Sequence, residues 1–475
     1  MKKHEIVIEY IIRGVQTGNL GLGDYLPSIR TVAKNLGIST STVFDAYCRL
    51  EHDGFVTSKE RGGFRLTSIS DIPALSVTTE HFPSPISDIQ NKHYEKTGRY
   101  PQQMVPLGAM SPPNIYFPSE DLSKCLARIA RTNPELINNG GLATNFANII
   151  GPIEQITAKH MYKSQGITMP DSEICHTQGA LEGLFLALRT ITKRDDFVVV
   201  ESPGFLAVYN MLKQLCLKAV EVEVLPPHGL NIDHLETLLD AGIRPACMVA
   251  TPNYQNPTGA LMPLENRKRL LRLCKKYDIA VIEDDTLGTL RFADKVPTLK
   301  ELAPEDVVYV SSYSKIMAPG YRVGWVSGGK YAYNIRITQR LDPFVLTIAN
   351  HLAVAQYIES GKIRVQMSSL RKIYAENCGK MAEALERSFP AGTQVFRPQG
   401  GQYIWVTMPE NISATSLFFQ AQNANILLAP GTLFNGQGKH NNCLRFCFAL
   451  KMSQDIFDAV EIVGKLAKNE IDEKR

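Results

Sequence analysis

The chain has 475 residues, of which 44% are hydrophobic and 21% charged, and its formal net charge is +4. This length exceeds one ordinary hydrophobic core and predicts two or three domains, while the composition excludes a disordered chain and a disulfide-rich mini-fold. The charge balance alone does not predict nucleic-acid binding, since residues 1–68 hold nine Lys/Arg against seven Asp/Glu.

The sequence shows no signal for export or membrane insertion. Glu5 and Glu9 interrupt the apolar stretch near the first residue, which breaks the apolar region that a secretory signal needs. No uncharged apolar run approaches the length of a membrane span. The nine cysteines are an odd number and contain no C-x-x-C pair. We therefore expect a cytoplasmic protein without a membrane segment or a metal site.

Three helices are predicted at the start of the chain. Apolar residues at helical intervals predict the first over residues 4–17. Ser28 can cap a second helix that runs to about residue 35, and Gly37 provides the turn. Ser39 can then cap a third helix that runs to about residue 53.

Two short strands and a long linker follow the helices. Residues 55–57 and 64–66 alternate like strands around the Gly62-Gly63 turn, which predicts a two-stranded wing. Residues 69–103 are rich in Ser, Thr, Pro and Asp with no sustained period, as is typical of a linker. The N-terminal domain is therefore expected to span residues 1–68.

From residue 104 to 475, helical segments alternate with short apolar runs. Such runs occur at 197–200, 247–250, 280–282 and 307–310. This alternation predicts an α/β body with a largely buried sheet.

The segment 23–56 resembles the GntR family of winged-helix repressors. The likeness lies in G-D-Y-L-P-S-I-R and in the following T-V-A-K-N-L-G-I-S-T-S-T-V-F-D-A-Y-C-R-L-E-H-D-G-F-V. The resemblance implies that double-stranded DNA is a partner, because small hydroxyl residues let the start of the third helix approach phosphates and base edges. The residues predicted to contact DNA are Arg30, Ser39, Thr40, Ser41, Thr42, Lys59, Arg61 and Gly62.

The details of this DNA interaction stay open. Thr40 and Phe44 stand where strong DNA-binding members of the family carry arginines, so no base preference is predicted. Any one polar residue here can also be a helix cap or a solvated side chain. A packing or dimerisation module is the alternative interpretation of the three helices.

A lysine between hydroxyls resembles the cofactor segment of type I aminotransferases, which bind pyridoxal 5'-phosphate (PLP). The segment is S-S-Y-S-K-I-M-A-P-G-Y-R-V-G-W (311–325). The resemblance implies Lys315 as the Schiff-base residue, because such a lysine needs a site where its amine can lose its proton. Ser312, Ser314 and Arg322 are the implied phosphate ligands.

A second segment is predicted to hold the same phosphate. H-T-Q-G-A-L-E-G-L-F (176–185) is typical of a loop that enters a helix. The backbone N–H groups of Gly179, Ala180 and Leu181 can then bind phosphate oxygens.

Three residues are implied around the pyridine ring. Phe205, at the end of E-S-P-G-F, stands where the family stacks an aromatic side chain, although a core phenylalanine is the alternative. Asn256, in T-P-N-Y-Q-N-P-T-G, is the implied donor to the 3-oxygen of the cofactor. Asp284, in A-V-I-E-D-D-T-L-G, is the implied carboxylate on the ring nitrogen, which it would keep protonated.

The segment around Asp284 leaves two questions open. The segment ends a predicted buried strand in three acidic residues, which is costly unless they have a positive partner, and Glu283 and Asp285 are the structural alternatives. Thr286 and Leu287 occupy places where many relatives carry a tyrosine that bonds the 3-oxygen. The absence of that phenol should weaken turnover more than cofactor binding.

A C-terminal arginine is predicted to bind a carboxylate. N-C-L-R-F-C-F-A (442–449) resembles the family's strand whose arginine grips the substrate, which implies Arg445 in that role; a surface ion pair is the alternative. G-G-Q-Y-I-W (400–405) and A-P-G-T-L-F (429–434) are similar to family segments as well. The whole likeness covers about residues 105–465.

Together the two resemblances imply the MocR subfamily of GntR regulators. The implied fold is multidomain, with an α+β winged helix-turn-helix and an α/β type I PLP-dependent transferase body. That body is expected to have a large domain with a mixed seven-stranded sheet at about 145–345. A smaller α+β domain is expected to take 104–144 and 346–475.

The leading functional hypothesis is a PLP-dependent transcription regulator. An amino compound would form an external aldimine in place of Lys315, and DNA affinity would change. A working aminotransferase with an accessory DNA-binding domain is the first alternative, since an intact site implies capability and not role. A repressor whose body is only a dimerisation scaffold is the second. Type I bodies resemble homodimers, so a homodimer with two DNA-binding heads is expected.

Overall fold

The structure is a computed structural model. The chain divides into two compact units, one made of residues 1–76 with 237–243 and the other of the remaining residues. The exact domain boundaries at 68 and 103 stay predictions. The residues that the structure describes are 6–8, 10–11, 20, 24–52, 55–59, 63–67, 77–78, 104–139, 146–341 and 346–472.

The N-terminal elements form a helix-turn-helix with a wing. Residues 6–8 and 10–11 are helical, within the predicted first helix. The two wing strands pair in antiparallel register, Val56 opposite Leu66. The helices and strands that follow are α1 (Ile29–Leu36), α2 (Thr40–His52), β1 (Val56–Lys59) and β2 (Gly63–Leu66).

Local chemistry sets the ends of these helices. The Ser28 hydroxyl accepts the backbone N–H of Thr31 at 3.1 Å and begins α1. Gly37 ends it in the left-handed region, at φ 66°, where glycine carries no steric penalty. The Ser39 hydroxyl accepts the N–H of Thr42 at 3.3 Å and begins α2. These are the caps and the turn that the sequence predicts. The core beneath them includes Val7, Val32, Val43, Tyr47, Leu50, Phe64 and Leu66.

The body is built on one large mixed sheet. Its strands are β3 (Val77–Thr78), β4 (Ile174–Thr177), β5 (Phe197–Ser202), β6 (Lys218–Leu225), β7 (Gly229–Leu230), β8 (Cys247–Ala250), β9 (Ala280–Asp284), β10 (Val307–Ser312) and β11 (Gly324–Ser327). Seven of them lie side by side in the order β6-β5-β8-β9-β10-β11-β4, with β3 beyond β6 at one edge and β7 also paired to β6. The inner pairs are parallel, whereas β11 runs antiparallel to both β10 and β4.

The apolar runs predicted as buried strands are the inner strands of this sheet. Along β10, Val308 and Val310 belong to one hydrophobic core and Tyr309 to another, since successive side chains point to opposite faces. Helices therefore cover both faces, as the all-apolar strands require. β3 lies within the predicted linker. Two residues of that linker therefore form an edge strand, which pairs with β6.

A second, smaller sheet has three antiparallel strands. They are β12 (Gln394–Phe396), β13 (Tyr403–Thr407) and β14 (Cys443–Cys447), in that order.

In the part of the chain that the structure describes, no helix has the length and apolar character to cross a bilayer.

Thirteen α-helices of the described body complete the fold. They are α3 (Ser119–Thr132), α4 (Pro134–Asn139), α5 (Phe146–Gln165), α6 (Ala180–Ile191), α7 (Leu206–Gln214), α8 (Ile232–Asp240), α9 (Leu264–Lys276), α10 (Leu299–Leu302), α11 (Ala332–Leu341), α12 (Ile348–Glu359), α13 (Lys362–Ser388), α14 (Ala414–Asn423) and α15 (Gln454–Asp472).

Candidate functional site

The candidate site lies where the parallel strands of the large sheet end. Carboxyl ends of parallel strands meet at one edge of a sheet, where ligands of open α/β folds bind. A cavity of about 250 Å³ occupies this position. Nine of the eleven residues predicted for cofactor and effector line it, and Gly179 and Arg445 contact members of the lining. The nine are Ala180, Leu181, Phe205, Asn256, Asp284, Ser312, Ser314, Lys315 and Arg322.

Lys315 follows strand β10 and points into the cavity. Burial lowers the pKa of its ammonium from 10.5 to about 8, and the positive charges of Arg445 and Arg322 add to the effect. Its Nζ donates a hydrogen bond to the backbone carbonyl of Met110. A substantial neutral fraction near neutral pH is what an amine that attacks an aldehyde needs.

Asp284 is the last residue of β9 and faces the same cavity. Its Oδ1 accepts hydrogen bonds from the backbone N–H of Thr286 at 3.0 Å and from the Thr286 hydroxyl at 2.5 Å. Burial raises the pKa of Asp284, while these bonds and the charge of Lys315 oppose the shift. Thr286 thus orients this carboxylate.

The two neighbouring acidic residues point away from the cavity, because side chains alternate along a strand. Glu283 accepts the backbone N–H groups of Leu299 and Lys300 at 2.9 and 2.8 Å and holds the start of α10. Asp285 accepts from Asn253 at 2.6 Å and from the Tyr309 hydroxyl at 2.7 Å. Both are structural, and Asp284 alone of the three reaches the cavity.

One end of the cavity suits a phosphate. Gly179 adopts φ 89°, and a Cβ at this position would lie 2.9 Å from Nη2 of Arg322. Nη2 of Arg322 donates to the Gln178 carbonyl at 2.8 Å. Helix α6 begins at Ala180, so its free N–H groups face the same place. The buried Ser314 hydroxyl has no hydrogen-bond partner among the described residues.

The other end suits a carboxylate. Arg445 is fully buried, donates to Asn256 Oδ1 and to the Gly108 carbonyl at 2.9 Å each, and lies 4.3 Å above the Tyr403 ring. Its Nε has no partner, and no carboxylate of the described chain forms an ion pair with it. A buried arginine without an acidic partner is costly unless a ligand supplies the negative charge. The surface ion pair considered as an alternative is wrong, since the side chain is buried.

The predicted DNA-binding residues lie on the surface of the N-terminal unit where the structure describes them. Arg30 on α1 and Ser39, Thr40 and Ser41 at the start of α2 are exposed, and Thr42 is half-buried. The Ser39 hydroxyl lies 2.9 Å from that of Ser41 and 2.7 Å from that of Thr42. Lys59 ends strand β1, and Arg61 and Gly62 fall outside the described residues.

Family models match both units. The model for bacterial regulatory proteins of the gntR family matches residues 3–66, and the model for aminotransferase class I and II matches residues 114–463. The chain belongs to the aminotransferase class I and II family. Its cofactor is pyridoxal 5'-phosphate, and its N-terminal unit is a gntR-type DNA-binding domain. This pairing is the MocR architecture that the sequence predicts.

Relatives of two kinds resemble the chain. The uncharacterized HTH-type transcriptional regulator YdcR of Escherichia coli is 29% identical and covers 99% of this chain and 100% of its own length. The 2-aminoadipate transaminase of Thermus thermophilus is 28% identical and covers 76% of this chain and 89% of its own. The crystal structure of the multiple substrate aminotransferase from Thermococcus profundus superposes with a TM-score of 0.73 at 26% identity, over 82% of this chain and 96% of that one.

The residues of this aminotransferase-family chain fit PLP. The unpartnered Ser314 hydroxyl, the space left by Gly179 and the Arg322 guanidinium would hold the phosphate. Asp284 would pair with the ring nitrogen, and Lys315 would bond the aldehyde. Phe205 lies at the N-terminus of α7 and lines the cavity, as a ring-stacking residue must.

Sequence reasoning missed part of the cavity wall. Met110, Ser111, Thr251 and Tyr403 line it as well, and the Tyr403 hydroxyl donates to the Met110 carbonyl at 3.1 Å. Tyr403 stands in the G-G-Q-Y-I-W segment, which resembled the family without suggesting a role. No sequence motif marks Met110, because its backbone carbonyl, and not its side chain, bonds Lys315 and Tyr403.

Proposed function

We propose that this regulator changes its DNA affinity when an amino compound with a carboxylate binds at its PLP site. PLP supplies an aldehyde that bonds amines and a ring that withdraws electrons. A ligand with an amine and a carboxylate suits both features of the site. Its amine can bond the aldehyde that Lys315 would hold, and its carboxylate can bind the buried Arg445, which has no acidic partner among the described residues.

The observation that carries the proposal is the pairing of Arg445 with Asn256 beside Lys315. Asn256 Oδ1 accepts from Arg445, which leaves the Asn256 Nδ2 group to donate toward the cofactor 3-oxygen. The same bond fixes the guanidinium for a two-pronged contact with a carboxylate. One side chain therefore connects the cofactor end of the site with the ligand end.

The individual roles belong to this proposal. Lys315 would hold the cofactor through its aldehyde, and Asp284 would hold the ring nitrogen in its protonated form. Binding alters DNA affinity only if the ligand favours one of two arrangements of the body that differ at the linker. A homodimer with two heads would bind paired half-sites, and such a protein acts in the cytoplasm, where the DNA is. The phosphate contacts are assigned to Gly179, Ala180, Leu181, Ser312, Ser314 and Arg322, and the DNA contacts to Arg30, Ser39, Thr40, Ser41, Thr42, Lys59, Arg61 and Gly62.

The test measures DNA affinity of the PLP-loaded full-length protein. Duplexes from upstream of its own gene and of neighbouring genes are titrated with and without a panel of amino acids. We expect one of them to change the affinity about tenfold, a typical coupling between two sites. The matched control is the N,N-dimethyl form of that amino acid, which keeps the carboxylate but cannot bond the aldehyde. An affinity that ignores every amino compound contradicts the proposal.

A working aminotransferase is the second candidate, favoured by the likeness to the 2-aminoadipate transaminase. Single-turnover conversion of PLP to its pyridoxamine form, with the same amino acids, separates the two. Fast conversion together with unspecific DNA binding supports the enzyme. Slow or absent conversion together with ligand-dependent DNA binding supports the regulator.

A further inference from the structure

Two consecutive residues of helix α12 hold the two backbone segments that form the phosphate end of the cavity. The Asn350 Nδ2 group donates to the carbonyl of Tyr321 at 3.1 Å, next to Arg322. Nε2 of His351 lies 3.2 Å from the carbonyl of Thr177, two residues before Gly179. Neither Asn350 nor His351 lines the cavity itself.

Both ring nitrogens of His351 lie next to backbone carbonyls, and the other donors to those carbonyls favour one tautomer. Its Nδ1 lies 3.1 Å from the Thr347 carbonyl, which also accepts the backbone N–H groups of Asn350 and His351. Burial lowers the pKa of His351 and favours a neutral ring with one N–H, while the hydrogen bonds to the Thr347 and Thr177 carbonyls oppose the shift. The Thr347 carbonyl already has helix donors. The proton is therefore best placed on Nε2, where it bonds the Thr177 carbonyl.

The two held segments need external support. Arg322 lies at φ 52°, a region where a residue with a side chain is strained, whereas Gly179 lies at φ 89°, which glycine adopts without that penalty. The two segments are tied to each other by the bond from Arg322 to the Gln178 carbonyl. Within the first segment, the Thr177 hydroxyl donates to the Gly179 carbonyl at 3.0 Å. A strained backbone persists only where surrounding contacts fix it.

Helix α12 is a firm base for such support. Ile348 and Ala355 belong to one buried cluster with Ile150 and Ile153 of α5. Ala349 and Ala353 belong to another with Ile129 of α3. The helix is thus packed on two sides, and its first turn presents Asn350 and His351 to the backbone segments at 321–322 and 177–179.

We infer that Asn350 and His351 are positioning residues for the phosphate group of the cofactor. They act through the backbone at 177–179 and at 321–322, which they hold in the shape that brings Gly179 and Arg322 together. The inference rests on the cofactor site of the proposed function. It predicts that losing either bond weakens the binding of a phosphorylated ligand and spares a ligand without phosphate.

The experiment compares PLP with pyridoxal, which lacks the phosphate, by absorbance titration of the full-length apoprotein. Variants are His351→Phe, which keeps the ring size but no donor, and His351→Gln, whose amide nitrogen can reach the place of Nε2. Asn350→Ala removes the second bond. Asn377→Ala is the matched control. The Asn377 side chain also donates to backbone carbonyls, but these belong to Phe448 and Leu450 and lie outside the segments at 177–179 and 321–322.

We expect His351→Phe and Asn350→Ala each to weaken PLP binding about tenfold, the value of one well-made hydrogen bond to a buried group. Pyridoxal affinity should stay within about twofold of wild type, and His351→Gln should recover most of the PLP affinity. Asn377→Ala should leave the ratio of the two affinities unchanged. If His351→Phe does not fold, the half-buried Asn350 tests the claim alone.

Two other outcomes overturn the inference. Equal losses for PLP and pyridoxal would assign the pair to general packing, and unchanged PLP affinity in the variants would remove any role at the phosphate. A wild-type protein that binds neither compound would instead defeat the cofactor part of the proposed function. The two failures are therefore distinguishable.

Discussion

Serine residues occur both in the cofactor site and at the start of the DNA-binding helix, but in different surroundings. The Ser314 hydroxyl is buried and has no partner among the described residues. The Ser39 hydroxyl is exposed and already accepts the backbone N–H of Thr42. A buried polar group without a partner is costly, so Ser314 points to a ligand. Ser39 has a sufficient role as a cap, so its surroundings do not point to a ligand.

The difference extends to the charged residues of both regions. Arg445 is fully buried and has no acidic partner in the described chain, whereas Arg30 is exposed to water. The surroundings of a buried polar side chain indicate whether it binds a ligand, because a buried polar or charged group without a partner has a free-energy cost.

Replacing Arg445 with Gln should remove the response to amino acids. We expect the half-saturating concentration to rise about a hundredfold, since truncating one partner of a buried, hydrogen-bonded charge pair costs several kcal/mol. The measurement is the change in cofactor absorbance as amino acid is added. Amines without a carboxylate serve as the control and should bind Arg445→Gln as well as wild type. Equal losses for both ligand types would contradict the carboxylate role.

Replacing Gly179 with Ala should weaken PLP binding about tenfold. The added Cβ would lie 2.9 Å from Nη2 of Arg322, and the residue would sit at φ 89°, at a strain of about 1–2 kcal/mol. Gly37→Ala is the matched control: its φ is also positive, at 66°, but nothing lies within 4 Å of the new Cβ. That variant should lower stability and leave PLP affinity intact. Equal PLP affinities in the two variants would show that the Arg322 contact is unimportant.

The rate of PLP incorporation should rise with pH and level off above about pH 8. The reacting form of Lys315 is the neutral amine, and burial together with Arg445 lowers the pKa of Lys315 to about 8 from 10.5. The neutral fraction therefore increases as pH rises through that value. Arg445→Gln removes one positive charge and should move the midpoint to higher pH. A wild-type rate that still climbs steeply at pH 10 would contradict the depressed pKa.

Replacing Ser39 with Ala should have the smallest effect. Loss of an N-cap costs about 1 kcal/mol, so the amides of the first turn of α2 should exchange hydrogen faster. Ser41→Ala is the control, since the Ser41 hydroxyl bonds the Ser39 hydroxyl and accepts no backbone N–H of the described helix. If both variants exchange alike but only Ser39→Ala loses DNA affinity, then the hydroxyl contacts DNA and does more than cap the helix.

Some parts of the molecule follow from the sequence and others do not. The helix caps at Ser28 and Ser39 and the inner strands were predictable, because capping and apolar patterning are local properties. The lining of the cavity by Lys315, Asp284 and Asn256 followed from motifs that each carry a chemical need.

Contacts made by the backbone or across long sequence separations could not be predicted. The carbonyl of Met110 bonds both Lys315 and Tyr403, and a carbonyl leaves no trace in the residue type. His351 reaches the Thr177 carbonyl across 174 positions of sequence. An isolated histidine in a helix gives no sign of such a partner until the fold brings the two together.

The most direct test of the account identifies the lysine that bonds PLP. The PLP-loaded full-length protein is treated with borohydride, which makes the bond between lysine and cofactor permanent, and its peptides are mapped by mass spectrometry. The account predicts cofactor on the peptide that contains Lys315 and none on the corresponding peptide of Lys315→Ala. Cofactor on another lysine, or an unmodified Lys315 in a protein saturated with PLP, would contradict it.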